Sequence, residues 1–384
     1  MPTSNTLAQN INKNMKRINT LLFSLMLFGL LFSCSKASLS YTQNGNWVSR
    51  AIFAGVPMGY ASSFVIADSA YVGTGFNPNT PNTKLNTVFK YVPDAIPNTA
   101  TGYDSAFGGW TQVSALPSTA RRMKAVGFSI GSYGYIGSGT QDGVTPLADF
   151  YKYDPSTNSW SQIASLGDGT TTYPRYDAVA FSFDNSAFVL TGTDALNFFG
   201  DVWQYDPGSD KWTQRPDMPG SKRSRAVTWV HNGIGYLVTG YTPGSQWQVG
   251  SACYDFWRFD PTQSGNSGWR RLRDIYNTNS GTYDDAYTNI IRYAAAGFVI
   301  KGQSTGDKAY ITTGSNGTAS VYTWEYDFNT DLWTEKTPYE GAAREGAVGF
   351  TIGNRGFIAT GVSGSAAYDD CREFFPGQIY NQYD

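Results

Sequence analysis

Arginine recurs at Arg122, Arg175, Arg223, Arg292 and Arg344, each opening a run of small and aliphatic residues, and Met58 holds the matching place in one earlier run. A guanidinium is a planar fork of donors that suits carboxylates, phosphates and sugar hydroxyls. Five of them around one opening would raise a local positive field in a chain whose net charge is only −2. Tyr176, Tyr293 and Trp247 offer faces on which a sugar or an extended peptide could stack. Glu345, beside Arg344, and Asp177, near Arg175, are the carboxylates placed for acid or base work at such a site. The opposing reading is that each arginine pairs with acids or carbonyls close by and serves the fold. Fivefold repetition favours that reading, because a repeat keeps what every unit needs.

Other chemistries are poorly supplied. His231 is the sole histidine, so a His-dependent hydrolase triad and a zinc site with His/Cys spacing both lack their parts. Asp274, Asp284 and Asp285 are too scattered to argue for calcium, and no metal or cofactor is expected. The thiols are Cys34, Cys253 and Cys371, too few for a disulfide framework; Cys253 and Cys371 read as buried and unpaired. With 28 basic and 30 acidic residues, the chain lacks the basic excess of a nucleic-acid binder.

The elements that would position these residues are strands. Aromatic residues make up 16% of the chain against 15% charged, and 42 glycines punctuate it, a balance that predicts short strands and tight turns. One hairpin is written repeatedly: "DFYKYDPSTNSW" from Asp149, "DVWQYDPGSDKW" from Asp201, "DFWRFDPTQSGNSGW" from Asp255. Its tyrosine-turn core occurs six times, as "FKYVP", "YKYDP", "WQYDP", "WRFDP", "WEYDF" and "REFFP". Ahead of each lies a strand ending in Gly, from "AYVGTG" to "GFIATG", and ahead of that a strand opening near Met58 or one of the five arginines. A tryptophan begins the fourth strand at Trp110, Trp160, Trp212, Trp269 and Trp333. The sixth is Trp47, upstream of the first unit. Its strand is expected to complete the last unit's sheet, closing a ring and removing an exposed edge.

This order of strands resembles the kelch repeat, with tryptophans roughly 50–64 residues apart against about 50 for that family. The resemblance runs from Trp47 to the C-terminus and implies an all-β, six-bladed kelch-type β-propeller, similar to the galactose oxidase central domain. Kelch units usually carry Gly-Gly after the second strand; here the pair is Thr-Gly or Ser-Gly. Copper chemistry of the galactose oxidase kind needs two imidazoles, which this chain lacks. In such a propeller the fourth-to-first and second-to-third connections share one face. That face receives the long segments "NPNTPNTKLN", "YTPGSQWQVGSACY" and "RDIYNTNSGTYDDAYTNI" and is the expected functional end.

The N-terminus reads as targeting. Lys16 and Arg17 precede an apolar run from Ile18 to Phe32, short for a spanning helix and suited to a signal peptide. Leu31-Phe32-Ser33-Cys34 is similar to a bacterial lipobox. The expected organisation is therefore an extension over 1–14, a signal peptide over 15–33, lipidated Cys34 with a tether over 34–46, and the propeller over 47–384. A monomer held at the bacterial envelope by acyl chains, facing the periplasm or the cell surface, follows from that reading. The expected function is non-catalytic binding of a protein or glycan partner on the loop face. The alternative is a sugar-acid mutarotase or epimerase, because the sialic-acid mutarotases are also six-bladed kelch propellers.

Overall fold

The computed structural model describes residues 44–80, 84–93, 107–244, 248–249, 251–263, 268–275 and 289–383. The described residues form six four-stranded antiparallel sheets set around a central channel. The first blade runs Ser62–Ile66, Ser69–Gly73, Val88–Val92 and Gly109–Val113 from the axis outward. The second and third open with Val126–Ile130 and Val179–Ser182, and the fourth, fifth and sixth with Val227–His231, Ala296–Ile300 and Val348–Ile352. Innermost strands of successive blades touch all the way round, the sixth against the first. In the sixth blade, Cys371–Ile379 pairs with Asn44–Ser49, so the outer strand comes from the opposite end of the chain, with Trp47 opposite Phe374.

No blade buries itself alone. Each of six apolar clusters lies between two neighbours, as where Trp229 and Phe256 of blade four meet Tyr326 and Trp333 of blade five. The tryptophan marker explains part of this. Its indole N–H donates to a carbonyl just beyond the previous blade's outer strand: Trp110 to Ala51 (2.9 Å), Trp160 to Ser114 (2.7 Å), Trp212 to Ala164 (2.9 Å) and Trp47 to Thr337 (3.3 Å). A large apolar face with one polar handle suits this place, which is dry on one side and carbonyl-lined on the other.

The Thr-Gly marker has a conformational origin. The chain leaves each second strand through two successive left-handed residues. The first is Thr74, Ser138, Thr191, Thr239, Thr313 or Thr360, at φ between 50 and 63°, followed by a glycine at φ between 87 and 113°. That glycine's amide then donates to the residue opening the next blade: Gly75 to Arg122, Gly139 to Arg175, Gly192 to Arg223, Gly240 to Arg292, Gly314 to Arg344 and Gly361 to Met58, all within 3.0 Å. The left-handed bend aims the amide across the blade boundary. Threonine is poorly suited to it, because a Cβ in that region costs about 1–2 kcal/mol. The Thr191 hydroxyl is also buried without a hydrogen-bond partner among the described residues. Thr191→Gly is therefore expected to raise the free energy of unfolding by about 1 kcal/mol, read as a shift in urea midpoint at unchanged slope. A loss of stability would show that the methyl's packing outweighs the backbone strain.

Candidate functional site

The repeated arginines lie inside the blades. Arg122, Arg175 and Arg223 are 0% exposed, Arg292 and Arg344 1%. Four of them reach from the first strand across the second to an aspartate just ahead of the third. The pairs are Arg122–Asp149 (2.7 Å), Arg175–Asp201 (2.6 Å), Arg223–Asp255 (2.5 Å) and Arg344–Asp370 (2.5 Å). Each guanidinium also caps the carbonyl of the left-handed residue, as Arg175 Nη1 does to Thr191 (3.0 Å) and Arg223 Nη1 to Thr239 (2.9 Å). The aspartates are held in turn: Trp203 and Trp257 donate their indole N–H to Asp201 and Asp255, each at 2.6 Å. Burial alone would lift the Asp201 carboxyl, but the bonds and charge of Arg175 outweigh it and hold the group below its ordinary value. The expected guanidinium collar is thus corrected: Arg122, Arg175, Arg223 and Arg344 are internal posts tying three strands together. Arg292 has the same burial, but among the described residues it has no such aspartate.

The channel mouth is lined by residues two places further on. Tyr60, Lys124, Asp177, Arg225, Ala294 and Gly346 all have left-handed backbones, with φ from 51 to 61°. Their amides and carbonyls form one closed circuit: Lys124 donates to Tyr60, Asp177 to Lys124, Arg225 to Asp177, Ala294 to Arg225, Gly346 to Ala294 and Tyr60 to Gly346, at 2.8–3.0 Å. This circuit sets six residues around a cavity of about 100 Å³. Asp177 Oδ2 accepts from Arg225 Nε at 3.1 Å, with Lys124 Nζ at 3.8 Å. Arg225 is held above its ordinary range because Asp177, Tyr60 and Glu345 outweigh a burial that opposes its charge. Burial, then the nearby Glu345 charge, pushes the Tyr60 hydroxyl far up.

The remaining sequence candidates divide. Tyr176 and Tyr293 flank this cluster, Tyr176 under the Lys124 ammonium (5.0 Å) and Tyr293 under the Arg225 guanidinium (5.5 Å). Asp177 reaches the mouth, bonded to Arg225 rather than to a repeated arginine, while Glu345 lies near enough for its charge to act on Tyr60 and Arg225. Tyr60, Lys124 and Arg225 were not singled out from sequence. His231 is remote, stacked on Phe328 (3.9 Å) with Nε2 3.0 Å from Asp307. Cys253 and Cys371 are buried free thiols, and burial pushes Cys253 up to about 11. Asp274 is paired with Arg271 at 2.6 Å. Cys34, Trp247, Asp284 and Asp285 lie outside the described residues.

A second feature of the same face is apolar. The second-to-third connections of blades two and three end in Val144, 65% exposed, and Leu196, 89% exposed. Both loops are built on an aspartate. Asp142 Oδ1 accepts from the amides of Val144 (2.8 Å) and Thr145 (2.7 Å), and Asp194 Oδ1 from those of Leu196 (3.0 Å) and Asn197 (2.6 Å). Side-chain and main-chain bonds from Thr145 and Val144 hold the Asp142 carboxyl far below the usual carboxylate range. Such closure fixes the loop without needing the apolar tip, which is left to solvent. Beside Leu196 a groove of about 610 Å³ opens between blades three and four, lined by Phe198, Phe199, Lys222, Thr242 and Pro243 among others.

Comparison with known proteins agrees with this architecture. The Kelch motif family model matches residues 134–167 and 174–219. Kelch-like protein 25 of Xenopus tropicalis is 26% identical over 197 residues, covering 50% of this chain and 28% of that protein. Kelch-like protein 34 of Homo sapiens is 29% identical over 123 residues, covering 30% and 18% respectively. The chain thus spans less than a third of the length of these curated relatives. The solved structure of YjhT superposes with a TM-score of 0.61 at 16% identity, covering 83% of this chain and 95% of that one. That likeness concerns the fold.

Proposed function

We propose that this chain, a kelch-repeat β-propeller, is a non-catalytic binding scaffold that presents its loop face to a protein partner. Kelch propellers generally mediate protein interactions. The observation that carries the reading here is Leu196: 89% exposed, on a loop fixed by Asp194, at the rim of the 610 Å³ groove. An apolar side chain held out on a pre-ordered loop loses little conformational freedom when it docks, so more of its burial survives as affinity. The groove with its aromatic floor and Lys222 suits an extended segment with an apolar anchor and an acidic group nearby. The same proposal places the chain at the bacterial cell envelope, tethered through Cys34, where such a face would meet other envelope proteins.

The test is capture by the full chain from envelope fractions of the producing cells, comparing wild type with Leu196→Asp and Val144→Asp. An anchor of this kind is worth about 2 kcal/mol, roughly a thirtyfold loss of affinity. Proteins retained by wild type should therefore be lost from the Leu196→Asp sample. Equal recovery on both would remove the loop face as the binding site.

The mouth cluster favours a second reading, a sugar-acid mutarotase or epimerase, because it sets Asp177 beside Lys124 and Arg225, with the Glu345 charge acting on Arg225 and Tyr60. Against it, Asp177 already accepts from Arg225, so it must break that bond before taking a proton. Anomer interconversion of sialic acid followed by NMR, with Asp177→Asn as control, decides between the two. Turnover abolished by that substitution would replace the scaffold reading.

A further inference from the structure

Among the described residues, one half of the internal post is missing in blade five. Where the other arginine blades place Asp149, Asp201, Asp255 or Asp370, blade five has Tyr322, which is 41% exposed. Arg292 is buried all the same. Its donors end on main-chain carbonyls: Nε on Ile290 (3.2 Å), Nη1 on Thr313 and Tyr322 (2.8 Å each), and Nη2 on Asn289. Among the described residues no carboxylate forms an ion pair with it. A buried charge held only by dipoles is poorly compensated. Burial accordingly pulls Arg292 down to about 9, whereas Asp255 holds the equally buried Arg223 above its ordinary value.

Space lies beside this charge. A cavity of about 220 Å³ is lined by Arg292, Asn289, Asn316, Thr318, Ser320 and Tyr322, which surround the guanidinium with hydroxyl and amide groups. It lies on the loop face, between the segment entering blade five and that blade's second-to-third connection. We infer that this pocket binds a carboxylate, seated on Arg292 where the other blades seat their own aspartate. Arg292 offers the same kind of guanidinium that its four counterparts turn to an aspartate, and the hydroxyls would hold whatever carries the carboxylate. The carboxylate of a free small acid and that of a partner's acidic side chain present the same two oxygens. The inference concerns blade five alone and does not depend on Leu196.

Acetate is the probe. The unfolding temperature of the full chain is measured at pH 7 in rising sodium acetate, against sodium chloride of equal ionic strength. Wild type should gain several degrees, saturably, because ligand bound only to the folded state stabilises it. Tyr322→Asp restores the blade's own carboxylate, so it should melt higher than wild type without acetate and show no acetate response. Arg292→Met should also abolish the response; Tyr322→Asp decides the matter should that variant not fold. A capped peptide with one glutamate, against its glutamine twin, separates the sources. A response to the glutamyl peptide assigns the pocket to a partner's side chain, and a response to acetate alone assigns it to a small acid. The inference is overturned if wild type follows ionic strength alone, or if Tyr322→Asp keeps the acetate response. It is equally overturned if acetate binds only after Asp284→Asn and Asp285→Asn, since the chain would then fill its own site.

Discussion

Asp255→Ala is expected to lower the free energy of unfolding by about 3–5 kcal/mol, the range for removing one partner of a buried ion pair. Both members of Arg223–Asp255 are fully buried. The aspartate accepts two bonds from Arg223 and one from the Trp257 indole. Alanine would leave a guanidinium and an indole N–H without their acceptor in a place water does not reach, and the cost of the stranded charge dominates. Asp149 is the milder case, because its side chain is 26% exposed and water can stand in for it. The double replacement Arg223→Met with Asp255→Thr should recover most of the loss. Blade one already carries that combination: Met58 stands where the others have arginine and Thr87 where they have aspartate, and Met58 is 1% exposed. Equilibrium urea unfolding of the three variants reads the result. A double variant no better than Asp255→Ala would mean that the charge pair organises blade four in a way apolar packing cannot replace.

The contrast between the arginines and the mouth residues shows what a repetitive sequence makes readable. Arg, Thr-Gly, Asp-x-aromatic and Trp stand in one register in nearly every unit, and each proves to be a part every blade needs. These are the post, the left-handed exit, the post's partner and the interblade wedge. That is why blade number and closure could be reached by aligning the chain with itself. The same logic misdirects a search for function. The arginines were conspicuous because they repeat, and they repeat because they are structural. The mouth ring hid for the converse reason: Tyr60, Lys124, Asp177, Arg225, Ala294 and Gly346 are six different residue types at one position. Only backbone conformation unites them, and Lys, Arg and Ala do not advertise a left-handed φ as glycine does. Leu196 and Val144 were invisible for a third reason, since an exposed aliphatic in a polar loop resembles any other until the Asx bonds that fix it are seen.

Closure carries the other large effect. Trp47 is fully buried, with its ring 4.7 Å from Phe374, 5.1 Å from Tyr339 and 6.0 Å from Phe298. Its amide donates to Glu340 (3.1 Å) and its indole to Thr337, so one residue joins blades five and six. The strand that carries it comes from the N-terminal side and pairs with Cys371–Ile379 near the other end of the chain. Trp47→Ala is expected to cost about 3–5 kcal/mol, the usual range for truncating a buried tryptophan. Trp110, the corresponding residue of blade one, is only half-buried and sits on a strand continuous with its own blade, so Trp110→Ala should cost less. The two variants should also differ in kind. Loosening Asn44–Ser49 uncovers the edge of Cys371–Ile379, and an uncovered edge pairs with other chains. Trp47→Ala should therefore become aggregation-prone at denaturant concentrations where it still keeps most of its strand signal, while Trp110→Ala unfolds without that phase. Light scattering alongside circular dichroism through a urea series separates the outcomes. Equal losses and equal scattering for the two variants would show that the ring does not depend on its N-terminal latch.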